Sequence, residues 1–316
     1  MQLFAINVAI NYNMKKYLLT IVGATGIGKT ALSIKLAKHF NTEIISSDSR
    51  QFFKEMCIGT AVPSNSELSE VKHHFIQHLS IFDTYSVGKF EKDALQKLDE
   101  LFTKNNIVIM VGGSGLYTKA VLEGLDDFPN VPPEIRTKLN QEIVKGNILN
   151  LQNQLKVLDE IAYKTIEISN PRRLVRALEV CLATGKPYSS FKSKKKKSRN
   201  FISLKIGLTA PRELMYNRIN QRVDSMIEQG LLNEAKQLFK YKHLNALQTV
   251  GYKELFQYFE GKYDLNAAIS EIKKNTRRFA KRQVTWNKKD IEIYWFDYDC
   301  SVNRIIKKIE SILQND

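Results

Sequence analysis

Residues Gly23 to Thr30 read GATGIGKT, which matches the phosphate-cradling pattern G-x-x-x-x-G-K-[ST] at every fixed position. In such a loop, successive backbone N–H groups and a helix N-terminus converge on an anion. Gly23, Ala24, Thr25, Gly26, Ile27, Gly28, Lys29 and Thr30 are therefore candidates for holding a diphosphate or triphosphate. Lys29 would reach the outer phosphates, and the Thr30 hydroxyl would ligate Mg²⁺. The loop leaves open what is done to the phosphate. Asp48, in Ser47-Asp48-Ser49-Arg50-Gln51, could take a proton from a nucleophile or hold Mg²⁺ through water. Arg218 and Arg222 stand four residues apart on a helical pattern, so two guanidinium forks share one face and could clamp a diphosphate from the far side. Each has a plainer alternative: Asp48 as a turn or capping residue, the arginines as surface charges.

These groups need a scaffold, and the chain's periodicity supplies one. The apolar runs 17–22, Glu43–Ser47, Ile107–Val111, Leu204–Leu208 and Ile293–Phe296 read as strands of a parallel sheet. Helical patterns over 29–40, 90–104, 114–123, 211–241 and 264–289 separate them, with Ala31, Leu32, Ile34, Leu36 and Ala37 as the buried side of the first. The alternation predicts an α/β fold, a P-loop NTPase-like doubly wound parallel sheet with its chemistry at the strand C-terminal ends. Strand signal vanishes from about Pro129 to Arg199, where Pro132-Pro133 opens a run of amphipathic patterns. The expected layout is an extension over 1–13, core over 14–128, a helical insertion domain over 129–199, and core completion with C-terminal helices over 200–316. Met14 offers an alternative start. The third strand runs into Gly112-Gly113-Ser114 with no carboxylate at its end, where nucleotide hydrolases orient water. That weakens a hydrolase and leaves a small-molecule kinase using ATP open.

Lysine and arginine total 48 against 33 acids, a net charge of +15, which favours a polyanionic partner. The block Lys192–Arg199 reads as a mobile, solvated loop adding non-specific attraction. Further basic clusters are Arg172, Arg173 and Arg176 after Asn170-Pro171, and Lys281-Arg282-Gln283-Val284-Thr285-Trp286, whose mix of cations, amide and aromatic suits single-stranded nucleic acid. His73, His74 and His78 hint at a metal site, the latter two one helical turn apart, but no further ligands complete a set and structural roles are favoured. The three cysteines, Cys57, Cys181 and Cys300, are scattered and read as reduced cytosolic thiols. No run approaches a membrane span, and the N-terminus lacks signal-peptide features.

Seven blocks in order, GATGIGKT, DSRQFFKEMCIGTAVPS (48–64), VGGSGLY (111–117), NPRRLVRALEV (170–180), MYNRINQRVDSMIEQGLLNEA (215–235), TVGYKE (249–254) and AKRQVTW (280–286), resemble the tRNA dimethylallyltransferase (tRNA isopentenyltransferase) family from about residue 16 onward. The resemblance implies transfer of a dimethylallyl group from dimethylallyl diphosphate to N6 of the adenosine 3′-adjacent to the tRNA anticodon. The loop would then hold the leaving diphosphate rather than ATP, with Mg²⁺ on Thr30. The same resemblance makes Asp48 the residue that positions the amine and takes its proton. Lys29, with Arg222 or Arg218, would stabilise the diphosphate. It also assigns the anticodon stem-loop to Asp48, Ser49, Arg50, Gln51, Ser114, Arg136, Arg172, Arg173, Leu174, Val175, Arg176, Thr249, Val250, Gly251, Tyr252, Lys253, Glu254, Lys281, Arg282, Gln283, Trp286 and Lys288. Three positions depart from the family pattern: Val62 where Lys is usual, Ile27 where a small residue is usual, and Lys288-Lys289 where an Arg is common. A C-terminal C-x-x-C finger of the eukaryotic kind is missing, which suggests a bacterial-type enzyme; a cytoplasmic location and a monomer are the accompanying expectations.

Overall fold

A computed structural model describes residues 15–193, 196–262 and 264–315. The expected extension over 1–13, Met14 and two members of the lysine block, Lys194 and Lys195, lie outside the described residues. Among the described residues, one compact unit runs up to Leu122 and resumes at Arg199; the other lies within Glu123–Ser198.

In the larger unit, β1 (Tyr17–Gly23) is buried at every position, as befits a strand covered on both faces. It leads into α1 (Lys29–His39), followed by β2 (Ile44–Ser46), the short α2 (Asn65–Glu70), β3 (His73–His74), α3 (Val87–Leu101), β4 (Ile107–Val111) and α4 (Gly115–Glu123). All sheet pairings are parallel, in the order β3-β2-β4-β1, continuing through β5 (Ile202–Thr209) to β6 (Ile293–Asp297). The result is the doubly wound sheet expected from the sequence, with β1 and its loop near the middle. Strand side chains alternate between two cores. Leu18, Ile45, Val108 and Met110 face one core, shared with Phe52, Phe90, Leu98 and Val223. Leu19, Ile44, Ile109 and Ile206 face the other, shared with Leu32, Leu36 and Ile309.

Local chemistry revises several expected boundaries. The pattern over 211–241 is two helices, α9 (Arg212–Glu228) and α10 (Leu231–Leu238), because Gly230 at φ +103° adopts a conformation that a helix cannot contain. On α1 the buried side is Leu32, Ser33, Ile34, Leu36 and Ala37; Ala31 is exposed. His74 lies on β3 rather than on a helix, so His74 and His78 share no helical face. His74 Nε2 instead meets Glu43 Oε2 at 2.6 Å. Nor is the lysine block uniformly solvated. Lys197 pairs with Asp127 at 2.6 Å, and Arg199 bonds Glu91 at 2.7 Å and the Ala120 and Val121 carbonyls at 2.8 Å. Arg199 and Glu91 are nearly buried, and such a pair is costly to break from one side.

The smaller unit packs α5 (Pro133–Val144), α6 (Ile148–Leu158), α7 (Glu160–Thr165) and α8 (Pro171–Thr184) around Leu139, Leu151, Leu155, Leu174, Val175 and Leu178. Fully buried Glu179 accepts both Arg136 Nε and Nη2 and Arg176 Nη1, each at 2.6 Å. These three charge-assisted bonds hold its carboxyl below the usual range.

Completing the larger unit are α11 (Tyr252–Phe259), α12 (Leu265–Asn287) and α13 (Val302–Asn315). On α10, Glu234 accepts the backbone N–H groups of Cys57, Ile58 and Gly59 at 2.9–3.0 Å, plus the buried Tyr252 hydroxyl at 2.6 Å. Removing this carboxylate strands four donors, so Glu234→Ala is expected to cost roughly 2–4 kcal/mol. A lowered urea midpoint with an unchanged slope is the expected reading; an unchanged midpoint would contradict it.

Candidate active site

The chain leaves β1 at Gly23, turns through Ala24–Gly28 and enters α1 at Lys29, setting the loop amides and a helix N-terminus at the sheet's C-terminal edge. A cavity of about 930 Å³ opens there, lined by Thr25, Gly26, Gly28, Lys29, Thr30 and Ala31. Asp48, Gly112, Gly113, Arg218 and Arg222 line it as well, so the phosphate loop, the strand-tip acid and the arginine pair meet in one space. Cys57, Ile58 and residues 60–65 complete the wall, Val62 among them. Their approach was not evident from the sequence, because Glu234 holds the segment there from 175–177 residues away.

Asp48 sits on a braced turn. Ser47 Oγ lies 2.9 Å from Thr118 Oγ1, and Ser49 meets Ser114 Oγ through both its N–H (3.0 Å) and its hydroxyl (2.9 Å). Asp48 Oδ1 accepts the Arg50 N–H at 3.1 Å. Gly112 permits this approach: a Cβ there would lie 2.3 Å from Ser47 Oγ and 2.5 Å from the Ser47 carbonyl carbon. Gln51 donates to the Thr60 and Ala61 carbonyls at 3.3 and 2.8 Å, and Arg50 to the Ala246 carbonyl at 3.1 Å.

Lys29 Nζ donates to the Gly23 and Ala24 carbonyls at 3.0 and 2.8 Å. Burial pushes its pKa down to about 8, with Asp48 opposing and Arg222 adding to the shift. Below that value Lys29 carries its charge; as the pH rises through it the charge is lost. Affinity for inorganic diphosphate is therefore expected to weaken above pH 8, approaching about tenfold per pH unit. Titration calorimetry of wild type against Lys29→Met checks this: the variant should bind weakly and show a flat profile through the same window.

The two arginines of α9 have different surroundings. Arg218 Nε donates to the Gly26 carbonyl at 2.9 Å, and its guanidinium lies 5.7 Å from the Tyr298 ring centroid. Arg222 is half-buried and has no hydrogen-bond or ion-pair partner among the described residues. Burial lowers its pKa, opposed by Asp48 and Glu67. An unpaired, partly desolvated guanidinium beside a lysine is an anion site in waiting. For Mg²⁺ the available donors are oxygens, the Thr30 hydroxyl and the Asp48 carboxylate, which suits a cation that completes its shell with phosphate and water. No cluster of three His, Cys, Asp or Glu able to hold a metal occurs among the described residues.

The expected RNA-contacting residues divide by exposure. Lys281, Arg282 and Trp286 are exposed on the last turns of α12 and Lys288 just past its end, with the Trp286 indole against the start of α4. Gln283 is buried and bonded inward. Between Thr249 and Glu254, Lys253 is exposed and Thr249 and Val250 are partly so. Gly251 and Tyr252 are buried, and buried Glu254 accepts the Gly251 N–H and the Asn275 amide at 2.8 Å each. In the smaller unit Arg172 is exposed, Arg173 pairs with Glu167 at 3.2 Å, and Arg136 and Arg176 share Glu179. Leu174 and Val175 belong to that unit's core.

A family model described as IPP transferase matches residues 51–290. A tRNA dimethylallyltransferase of Christiangramia forsetii is 62% identical, covering 94% of this chain and 99% of its own length. One from Flavobacterium psychrophilum is 58% identical, covering 95% and 99%. Among solved structures, the full-length tRNA isopentenylpyrophosphate transferase of Bacillus halodurans has a TM-score of 0.70 at 35% identity, covering 95% of this chain and 96% of that one. A eukaryotic dimethylallyltransferase described as acting on tRNA has a TM-score of 0.80 at 28% identity, covering 95% and 80%. With the phosphate loop, strand-tip acid and arginines gathered in one cavity of a P-loop-like sheet, and relatives aligned nearly end to end, the chain belongs to the IPP transferase family.

Proposed function

We propose that this chain transfers a dimethylallyl group from dimethylallyl diphosphate to N6 of the adenosine 3′-adjacent to the anticodon of a tRNA, giving N6-isopentenyladenosine and diphosphate. The observation that carries the reading is the unpaired guanidinium of Arg222, which shares one cavity with Lys29, the loop amides and Asp48.

In the transfer, the N6 lone pair forms a bond to C1 of the allyl group while the C1–O bond breaks and its electron pair leaves on the diphosphate. Adenine N6 is a poor nucleophile because its lone pair is delocalised into the ring. Asp48 accepts a hydrogen bond from the amine and takes its proton as the new bond forms. The allyl carbon tolerates partial positive charge, so the barrier depends on stabilising the departing anion. Lys29, Arg222 and the loop amides supply that stabilisation. Mg²⁺, held by Thr30 and the phosphate oxygens, would add charge neutralisation when bound. The target base must leave its stack, at a cost of a few kcal/mol, roughly offset by contacts to exposed groups such as Trp286, Lys281 and Arg282.

An ATP-dependent kinase is disfavoured by the relatives, which are named for dimethylallyl transfer to tRNA. No helix among the described residues is long and apolar enough to cross a membrane. We place the working enzyme in the cytoplasm as a monomer bound to the anticodon stem-loop.

The test uses purified protein, Mg²⁺ and dimethylallyl diphosphate labelled in the prenyl group. Acceptors are a tRNA with adenosine after its anticodon, the same tRNA with guanosine there, and AMP. Label entering the adenosine-bearing tRNA alone is the expected result. Label entering AMP, or phosphate transfer from ATP with no prenyl transfer, would overturn the reading.

A further inference from the structure

The last turns of α12 alternate in a way that an RNA surface alone does not require. Lys281, Arg282 and Trp286 are exposed, whereas Gln283 among them is only 7% exposed. Its Oε1 accepts the backbone N–H of Thr25 at 2.8 Å, and its Nε2 donates to the carbonyl of Gly113 at 2.9 Å. The amide's orientation is fixed by its partners, since a backbone N–H can only donate and a carbonyl can only accept. These bonds join two places, 258 and 170 residues away in sequence, that both belong to the cavity wall. Thr25 belongs to the diphosphate loop; Gly113 follows β4 beside the Asp48 turn. A Cβ on Gly113 would lie 2.6 Å from Gln283 Nε2 and 3.0 Å from Asp48 Oδ2, so the amide and the carboxylate crowd onto the same glycine.

We propose that Gln283 is a positioning residue for prenyl transfer: its side-chain amide ties the diphosphate loop to the Gly112–Gly113 turn and thereby sets the distance between the leaving group and Asp48. The inference rests on the reading of function above and deepens it. C1 must lie between the departing oxygen and N6, and displacing reacting groups by about 1 Å can cost about 100-fold in rate. The job calls for one neutral group with an acceptor and a donor side by side. Asparagine is one carbon too short to span the gap. An ionised glutamate keeps the acceptor, loses the donor and adds a negative charge beside Asp48.

The experiment follows kcat and KM for tRNA and for dimethylallyl diphosphate in wild type, Gln283→Ala and Gln283→Glu across acidic to alkaline pH. Melting curves and hydrogen exchange at the Thr25 amide accompany it. The expected result for Gln283→Ala is a fall in kcat of about 10- to 100-fold, with KM for tRNA unchanged and faster exchange at Thr25. Gln283→Glu should fall similarly at alkaline pH and recover relative to wild type on acidification. A protonated carboxyl again accepts from Thr25 and donates to Gly113. Wild-type kcat in both variants would overturn the proposal. So would a loss confined to KM for tRNA with no recovery in acid, which would make Gln283 an RNA contact. Should Gln283→Ala not fold, the near-isosteric glutamate series decides alone. If wild type transfers no prenyl group at all, the functional reading fails, while exchange at Thr25 still reports on the tether.

Discussion

Replacing Asp48 with asparagine is expected to lower kcat for prenyl transfer to tRNA by about 10²- to 10⁴-fold, the range for loss of a positioned general base. Asparagine keeps the size of the side chain and can still accept the Arg50 N–H that aspartate accepts at 3.1 Å. It cannot take the proton that N6 must lose. The turn is braced independently by Ser47–Thr118 and Ser49–Ser114, so folding and diphosphate binding should change little. A fall in kcat with unchanged Kd for inorganic diphosphate is the expected pattern. Equal losses in both would instead make Asp48 a ligand of the diphosphate–metal complex.

The second large effect separates the two arginines. Arg222→Ala and Lys29→Ala should each reduce kcat/KM for dimethylallyl diphosphate by about 10²- to 10³-fold, as expected for removal of one preorganised charge from a developing anion. Because the two act together on the same developing anion, the double variant should lose less than the product of the single losses. Arg218→Ala should act differently. Its Nε is committed to the Gly26 carbonyl, so its loss loosens the loop and should be milder, expressed as much in stability as in rate. Steady-state kinetics on the four variants decides this. A larger loss from Arg218 than from Arg222 would reverse the assignment.

Much of this arrangement was legible in the sequence because it is locally encoded. The phosphate loop announces itself by spacing, and the apolar runs at 17–22 and 107–111 have the composition of strands buried on both faces. What escaped was non-local. The strand β3 is two histidines long and pairs with β2 at only two positions, too little to leave a periodic trace. The break between α9 and α10 hangs on one glycine inside a continuous amphipathic pattern. The arginines of α9 are indistinguishable by spacing; what separates them is a carbonyl 192 residues away. Gln283 sits in a run whose neighbours are basic and exposed, and only the fold reveals that its amide points inward. The same holds for Glu254, read by resemblance as a surface contact but engaged with Gly251 and Asn275 in the interior.

The central claim is that the cavity brings an allyl diphosphate and one exocyclic amine together, and the identity of the modified atom tests it most directly. tRNA treated with the enzyme, Mg²⁺ and dimethylallyl diphosphate would be digested to nucleosides and resolved by mass spectrometry, with a site-specific digest locating the change. The account predicts a single product, adenosine bearing the five-carbon group on N6, at the position 3′ to the anticodon and nowhere else. A prenyl group on another base, on a ribose oxygen or at scattered adenosines would contradict it.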